Sequence, residues 1–458
     1  MPPEEKTPSQ ESKPPRGRAL RPAVLSALGS AAALTLTACA ALPGGSGGPP
    51  QDNTPDEVST DISGVSATLT LAYTDDPPSS ELVEGFTDQY PDVSVELRQT
   101  PFTDYVKTIT LSMSSDDAPD IAQYNPGAMR SLVPGGHILN LDPYAEAYGW
   151  EESFPSAALE PLQSDEEASE FATGSLYAAP GALSVLGVFY NTELLEEVGV
   201  EEPPATLDDF EDALARADEA GVAPLSVGGL EVGGFQIWNA LLNSLGDHTE
   251  YKDWVYGAAG SSIETDAAAE ATDTFSRWVD EGYVTEGANA TSDDDARAEF
   301  VAGDSLFLVT GNWAAFELEA EMGDDAGFML MPGRTADQAP VASGASVAYA
   351  VSSSTEHPDA AAAFLDWLSS AEAARIQLDT GFMPVDTQVP AEGRGLLDEV
   401  NAGFAEVADN DGIVPFPDYA TPGMIDQLTP GVQGLISGSS TPEEFLASLQ
   451  AEWEGHHG

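Results

Sequence analysis

From Val65 onward the chain alternates between two periodicities. Ala67, Leu69 and Leu71 alternate with Ser66, Thr68 and Thr70, which predicts a strand with one buried face. Leu82, Val83, Phe86 and Tyr90 then recur at helical spacing, so 79–89 is predicted to be a helix. Val93, Val95 and Leu97 alternate again, and a second helix is expected from about Thr103 with Tyr105, Val106, Ile109 and Leu111. Pro119-Asp120-Ile121-Ala122 predicts a short strand, followed by a helix after Pro126. Leu183 to Phe189 is a continuous apolar strand. Thr206-Leu207-Asp208-Asp209 has the form of an N-cap with an acidic third residue, and its helix carries Phe210, Leu214 and Ala217. Pro358 suits the first turn of a helix with Ala362, Leu365 and Leu368 on one side. Thr441-Pro442-Glu443-Glu444 is a capping box opening a last helix with Phe445, Leu446 and Leu449. Strand–helix alternation of this kind predicts an α/β fold on a parallel sheet.

The first 64 residues follow neither pattern. Residues 1–23 are Pro-rich and polar, and Val24 to Leu36 is an apolar run too short to span a bilayer comfortably. It fits the apolar core of a signal peptide, here assigned to 1–38. The run ends in Leu36-Thr37-Ala38-Cys39, which resembles the lipobox of bacterial lipoproteins, in which the Cys becomes the first mature residue and carries the lipid. Residues 39–64, rich in Gly, Pro, Ser, Asp and Thr, cannot bury a core and read as a flexible tether. The expected location is extracytoplasmic, anchored to a bacterial membrane through Cys39 and not embedded in it.

Charge narrows the function classes. The 458 residues hold 15 Lys and Arg against 78 Asp and Glu, a formal net charge of −63. Residues 1–38 carry five of the basic residues and three of the acidic ones, which leaves ten basic against 75 acidic in the rest. Such a surface repels nucleic-acid phosphates, so nucleic-acid binding is excluded, and it reads as a solvated acidic surface suited to a salty medium. With Cys39 the sole cysteine, no internal disulfide is possible. The five histidines are scattered, and no HExxH, CxxC, GxSxG or P-loop is present. Asp409-Asn410-Asp411-Gly412 looks like part of a calcium loop, but Val407 would occupy its first ligand position. No metal and no cofactor is expected.

Four strings, in order, resemble the extracellular solute-binding proteins that serve sugar importers of the ATP-binding cassette type, the family of the maltodextrin-binding proteins. They are Ala118-Pro119-Asp120-Ile121 with Leu139-Asn140-Leu141-Asp142, then Gly174-Ser175-Leu176-Tyr177-Ala178-Ala179-Pro180 running through Val188-Phe189-Tyr190-Asn191-Thr192-Glu193-Leu194-Leu195 to Pro203-Pro204-Ala205-Thr206-Leu207-Asp208-Asp209-Phe210. Phe300-Val301-Ala302-Gly303-Asp304-Ser305 with Gly311-Asn312-Trp313, and Gly381-Phe382-Met383-Pro384-Val385, complete the set. The resemblance covers about 65–455. Two departures, Leu207 where the family usually has Trp and Asp304 where it usually has Lys, read as surface changes. The resemblance implies a two-lobed α/β fold of the periplasmic-binding-protein type with the ligand in the cleft. Lobe I would be 65–179 and 341–383, and lobe II 180–340 and 384–458. The chain would cross near Ala178–Pro180, Pro340 and Pro384. It further implies a monomer that is no enzyme, that captures a neutral mono- or oligosaccharide by lobe closure, and that hands it to membrane permease subunits.

Sugars present flat apolar faces and a rim of hydroxyls, so their sites need aromatic platforms beside planar polar groups. Loops at the carboxyl ends of strands are the usual place in open α/β sheets. The candidates are Tyr73, Asp75, Asp76, Tyr124 and Asn125 in lobe I, and Phe235, Trp238, Trp313, Tyr419 and Met424 in lobe II. Trp254, Trp278 and Trp367 read as packing residues. Arg130 is the cation placed nearest the cleft. Two other classes stay open on the residues alone. A binding protein for a polyamine or peptide could use the same carboxylates and aromatics. A secreted glycosidase needs only two suitably spaced carboxylates.

Overall fold

In a computed structural model the described residues are 53–55, 57–74, 79–154, 156–285, 287–385 and 395–458. Cys39, the signal segment, Asp75 and Asp76 lie outside them. The strands are β1 (Ala67–Tyr73), β2 (Val93–Gln99), β3 (Ile121–Tyr124), the short pair β4 (Gln163–Ser164) and β5 (Ser175–Leu176), β6 (Ala179–Asn191), β7 (Ala223–Ser226), β8 (Ser305–Gly311), β9 (Ala326–Met329), β10 (Ala342–Val351) and β11 (Ile413–Val414).

Among the described residues nine strands join in one sheet whose main path runs β2-β1-β3-β10-β6-β8-β7, with β9 on β6 and β11 on β10. The sheet is mixed, which corrects the parallel expectation. β1 pairs parallel with β2 and β3, and β7 with β8, an arrangement that needs long connections of the kind the intervening helices supply. β10 instead runs antiparallel to both β3 and β6, and β6 antiparallel to β8 and β9. The cause is a late return: β10 inserts beside β3 more than 200 residues after it, and local periodicity carries no trace of that.

β6 is the spine. Every residue of it is buried. Its first half pairs with β10, from Ala179↔Tyr349 to Val185↔Gly344, while its second half pairs with β8 on one side and β9 on the other. A strand covered on both faces reads as an unbroken apolar run, which is what Leu183 to Phe189 showed.

Two hydrophobic cores are built around this sheet, one on the β1, β3 and β10 strands and the other on β7 and β8. One gathers Leu69, Leu71, Phe86, Ile109, Ile121, Trp150, Phe364 and Trp367. The other gathers Phe210, Leu225, Trp238, Trp254, Phe275, Trp278, Leu428, Phe445 and Trp453. The helices start where their caps stand. The Thr206 side chain accepts from the Asp209 N–H, and the capping box of Thr441 and Glu444 closes in both directions. Asp304 is exposed, but Leu207 is buried in the second core, so that departure belongs to packing and not to the surface.

Candidate ligand-binding site

The carboxyl ends of β1, β3, β7 and β8 converge on one cavity of about 220 Å³. Its wall includes Thr74 after β1, Gln123 to Asn125 at the end of β3, Ser226 and Val227 after β7, and Trp313 after β8. The helix Gly233–Leu245 adds Phe235 and Gln236, and the C-terminal segment adds Phe416, Asp418 and Tyr419.

The best-defined platform is Trp313. Asn312 pins the turn that carries it: its Oδ1 accepts from the Val185 N–H at 3.0 Å and its amide donates to the Gly381 carbonyl at 2.8 Å. Gly311 leaves room for the ring. A Cβ there would lie 2.0 Å from the indole. Phe416 lies against the ring from another side, with centroids 6.2 Å apart at 54°, and Tyr419 meets Phe416 edge-on at 6.0 Å. An indole held in this way loses little rotamer freedom when a ligand arrives.

Tyr124 and Asn125 enter from the opposite part of the sheet. Asn125 caps the short helix Pro126–Met129 by accepting from the Ala128 N–H at 2.7 Å, which turns its amide toward the carboxylate of Asp418. Gly127 makes this approach possible, since a Cβ there would stand 2.4 Å from the Asp418 carbonyl oxygen. At the cavity edge, the Glu231 carboxylate accepts from the Thr103 hydroxyl at 3.1 Å and from the Asp293 N–H at 2.9 Å. Asp293 in turn accepts from the N–H of Gly233, at 3.0 Å, and of Val232.

Of the ten candidate residues the structure gathers Tyr124, Asn125, Phe235, Trp313 and Tyr419 in this wall. Three lie elsewhere. Trp238, one helical turn beyond Phe235, is fully buried in the second core, where its indole N–H donates to Thr272 Oγ1 at 2.9 Å and its ring meets Phe445 edge-on. Met424 is likewise fully buried in that core. Tyr73 is buried at the end of β1, with Thr74 next to it facing the cavity. Arg130 is not in the wall either. It is buried against the face of Phe171, 3.9 Å from the centroid, and donates to the Ala420 carbonyl at 2.6 Å. The guanidinium that does line the cavity is Arg297, paired with Asp294 and Glu317 at 2.6 and 2.8 Å. Sequence reasoning missed Phe416, Asp418, Gln123, Glu231 and Asp293. The string Phe416-Pro417-Asp418-Tyr419 was a usable signal, being two aromatics around an acid at a Pro turn. The Glu231–Asp293 contact left none, because 62 residues separate the partners.

Two of these carboxyls are electrostatically displaced. Burial, reinforced by the neighbouring Glu231, pushes Asp293 up to about 7, although the Gly233 and Val232 N–H groups oppose the shift. Burial also raises Asp418 to about 6, against hydrogen bonds from its own N–H and the Asn125 amide. Unfolded aspartates titrate near about 3.9, so between that value and 7 the folded chain binds more protons than the unfolded one. Stability then falls as pH rises through this window. Thermal melts of the ligand-free protein should show a melting temperature that drops from about pH 5 to about pH 8, and less steeply in Asp293→Asn. A flat or rising wild-type profile would contradict the placement of these carboxyls.

The comparisons with known proteins agree with this architecture. Residues 73–375 match the family model of the bacterial extracellular solute-binding proteins. A probable sugar-binding periplasmic protein of Mesorhizobium japonicum is 30% identical over 209 residues, 45% of this chain and 48% of that protein. A multiple sugar-binding protein of Streptococcus mutans is 21% identical over 319 residues, 68% of this chain and 72% of that one. The chain thus spans about half the length of the first of these relatives. Among solved structures, a chitin oligosaccharide binding protein superposes with a TM-score of 0.71 at 21% identity, covering 86% of this chain and all of that one. The fold is therefore the two-lobed α/β fold of that protein. With the family model spanning nearly two thirds of its length and a walled cavity at the carboxyl ends of its strands, the chain belongs to the bacterial extracellular solute-binding proteins.

Proposed function

We propose that this protein captures a carbohydrate outside the cytoplasm, as a monomer, for an importer of the ATP-binding cassette type. The observation that carries the reading is the wall itself. Tyr124, Phe235, Trp313, Phe416 and Tyr419 contribute aromatic side chains to it, and Gln123, Asn125, Gln236 and Asp418 contribute planar polar groups. That combination suits a pyranose, whose faces are apolar and whose rim is hydroxylic. The sugar-binding descriptions of the two relatives and of the structural neighbour point the same way. Lobe I (65–179 and 341–383) and lobe II (180–340 and 384–458) would close on the sugar, so that the permease distinguishes loaded from empty protein.

A thermal-shift screen against a sugar library tests this. A sugar at 100 times its Kd adds about 2.7 kcal/mol to stability. Binding should be saturable and leave the sugar intact. A library in which no sugar raises the melting temperature, or one in which products accumulate, would overturn the reading.

We further propose that Cys39 carries a lipid and tethers the protein to the cell membrane, the support being Leu36-Thr37-Ala38-Cys39 and the tether composition after it. Cys39→Ser should move the protein into the soluble fraction or block its processing. Unchanged membrane partitioning of the Ser variant would rule the anchor out.

A further inference from the structure

The cavity holds more negative charge than its own structure neutralises. Among the described residues Glu231, Asp293, Asp294 and Asp418 line it, against the single guanidinium of Arg297. Arg297 is already shared between Asp294 and Glu317. Among the described residues Glu231, Asp293 and Asp418 make no ion pair; their partners are N–H groups, the Thr103 hydroxyl and the Asn125 amide. Asp418 is the decisive one. Its residue is 8% exposed, it shares the cavity wall with Tyr419, Phe416 and Tyr124, and Tyr419 and Tyr251 are its tyrosine neighbours. A buried carboxylate without a cation is costly, and the cost falls when a cation arrives. Aromatic faces add to the attraction, because a ring's quadrupole favours a cation above it.

Resting on the carbohydrate reading above, but departing from the neutral sugar that the family resemblance implied, we infer that the sugar selected by this cavity bears an ammonium group, with Asp418 as the specificity-determining residue. The ammonium replaces the missing counter-ion, donating to the Asp418 carboxylate beside the Tyr419 and Phe416 rings. Glu231, and Asp293 in its ionised form, supply the long-range field that favours the same charge. A neutral sugar of the same shape gains only the ring contacts and the hydroxyl hydrogen bonds.

The pH dependence has a definite sign. Asp418 must be ionised to pair with an ammonium, and burial has raised it to about 6. The groups facing it are Tyr251 from the helix His248–Tyr256 and Tyr419 beside it, with Tyr124 from β3 next to Tyr419; all three are raised by burial and hence neutral throughout. Arg130, which holds the Ala420 carbonyl, is lowered by burial to about 10 and stays a cation. His456 and His457 near Arg130 are lowered, by burial first, and stay neutral above pH 6.5. Affinity for an ammonium therefore falls as pH drops through the Asp418 range, and a neutral sugar lacks that dependence.

Isothermal calorimetry with glucosamine, N-acetylglucosamine and glucose, each as monomer and β-linked disaccharide, decides the matter. The amine should bind at least about tenfold tighter than its matched neutral analogues near pH 7, since one charge-assisted hydrogen bond contributes about 1.5–3 kcal/mol and 1.4 kcal/mol is a factor of ten. The preference should collapse near pH 5 and in Asp418→Asn. If Asp418→Asn does not fold, the wild-type comparison across the three sugars at the two pH values still decides. Neutral analogues binding as tightly as the amine would overturn the inference and leave the carbohydrate reading standing. An amine preference unchanged in folded Asp418→Asn would remove Asp418 from the role. Failure of every sugar to bind, charged or neutral, would overturn the carbohydrate reading and this inference with it.

Discussion

Trp313→Ala is expected to weaken carbohydrate binding about tenfold or more, because an aromatic platform contributes on the order of 1–3 kcal/mol through buried area and ring geometry. The indole is partly exposed in the wall of the cavity and is held by the turn at Asn312 and by Phe416. Its removal takes away both the contact and the pre-ordering of the contact. Gly311→Ala offers an independent route to the same result. The new Cβ would fall 2.0 Å from the ring, so the ring must leave its place although no wall residue is deleted. Calorimetry on both variants, with the sugar found by screening, is the measurement. Wild-type affinity in Trp313→Ala would remove Trp313 from the site.

Trp367→Ala is expected to do the reverse, costing about 3–5 kcal/mol of stability, the range for deleting a large buried aromatic, and leaving affinity nearly intact. Trp367 ends the helix Pro358–Trp367 and is 3% exposed in the first core. Its ring meets Phe86 edge-on at 6.2 Å, and it lies so close to the helix Ser79–Gln89 that a Cβ on Gly85 would stand 2.7 Å from it. It has no place in the cavity wall. Denaturant melts and calorimetry separate the two readouts. A loss below about 1 kcal/mol, or a tenfold loss of affinity in a folded variant, would contradict this placement.

How far the sequence could be read depends on the range of the signal. Strands such as Ala67–Tyr73 and helices such as Leu207–Ala220 are set by local alternation and local caps, and both were legible. The direction of β10 was not, because it depends on a partner at β3 that periodicity cannot name. The same division runs through the site. Tyr124 and Trp313 stand just where strands end, a position that can be inferred from the chain alone. In the helix Gly233–Leu245 all residues but the last are buried, and its polar stripe of Gln236, Asn239 and Asn243 faces the protein interior, so that stripe does not mark a solvent side. Phe235 and Trp238 look alike there, yet one faces the cavity and the other the core. Asp418 looked like one acid among 78, and only its burial sets it apart.

The thirteen-residue β6 has a consequence for anyone who wishes to cut this protein into parts. Residues that flank each other in the sheet come from distant stretches of chain, and β6 supplies hydrogen-bond partners to β8, β9 and β10 at once. A fragment ending before Ala179 would lack β6 and β10 and would leave the inner edge of β3 bare. A fragment beginning after Asn191 would leave β8 and β10 bare along the edges that β6 now covers. Bare, buried-type edges of this kind seek other chains. Tags, inserted reporter domains and permuted termini therefore belong in exposed turns such as the one around Gly260, whose Cβ direction opens onto empty space, and a cut at the middle of the sequence is expected to give halves that associate through their bare edges.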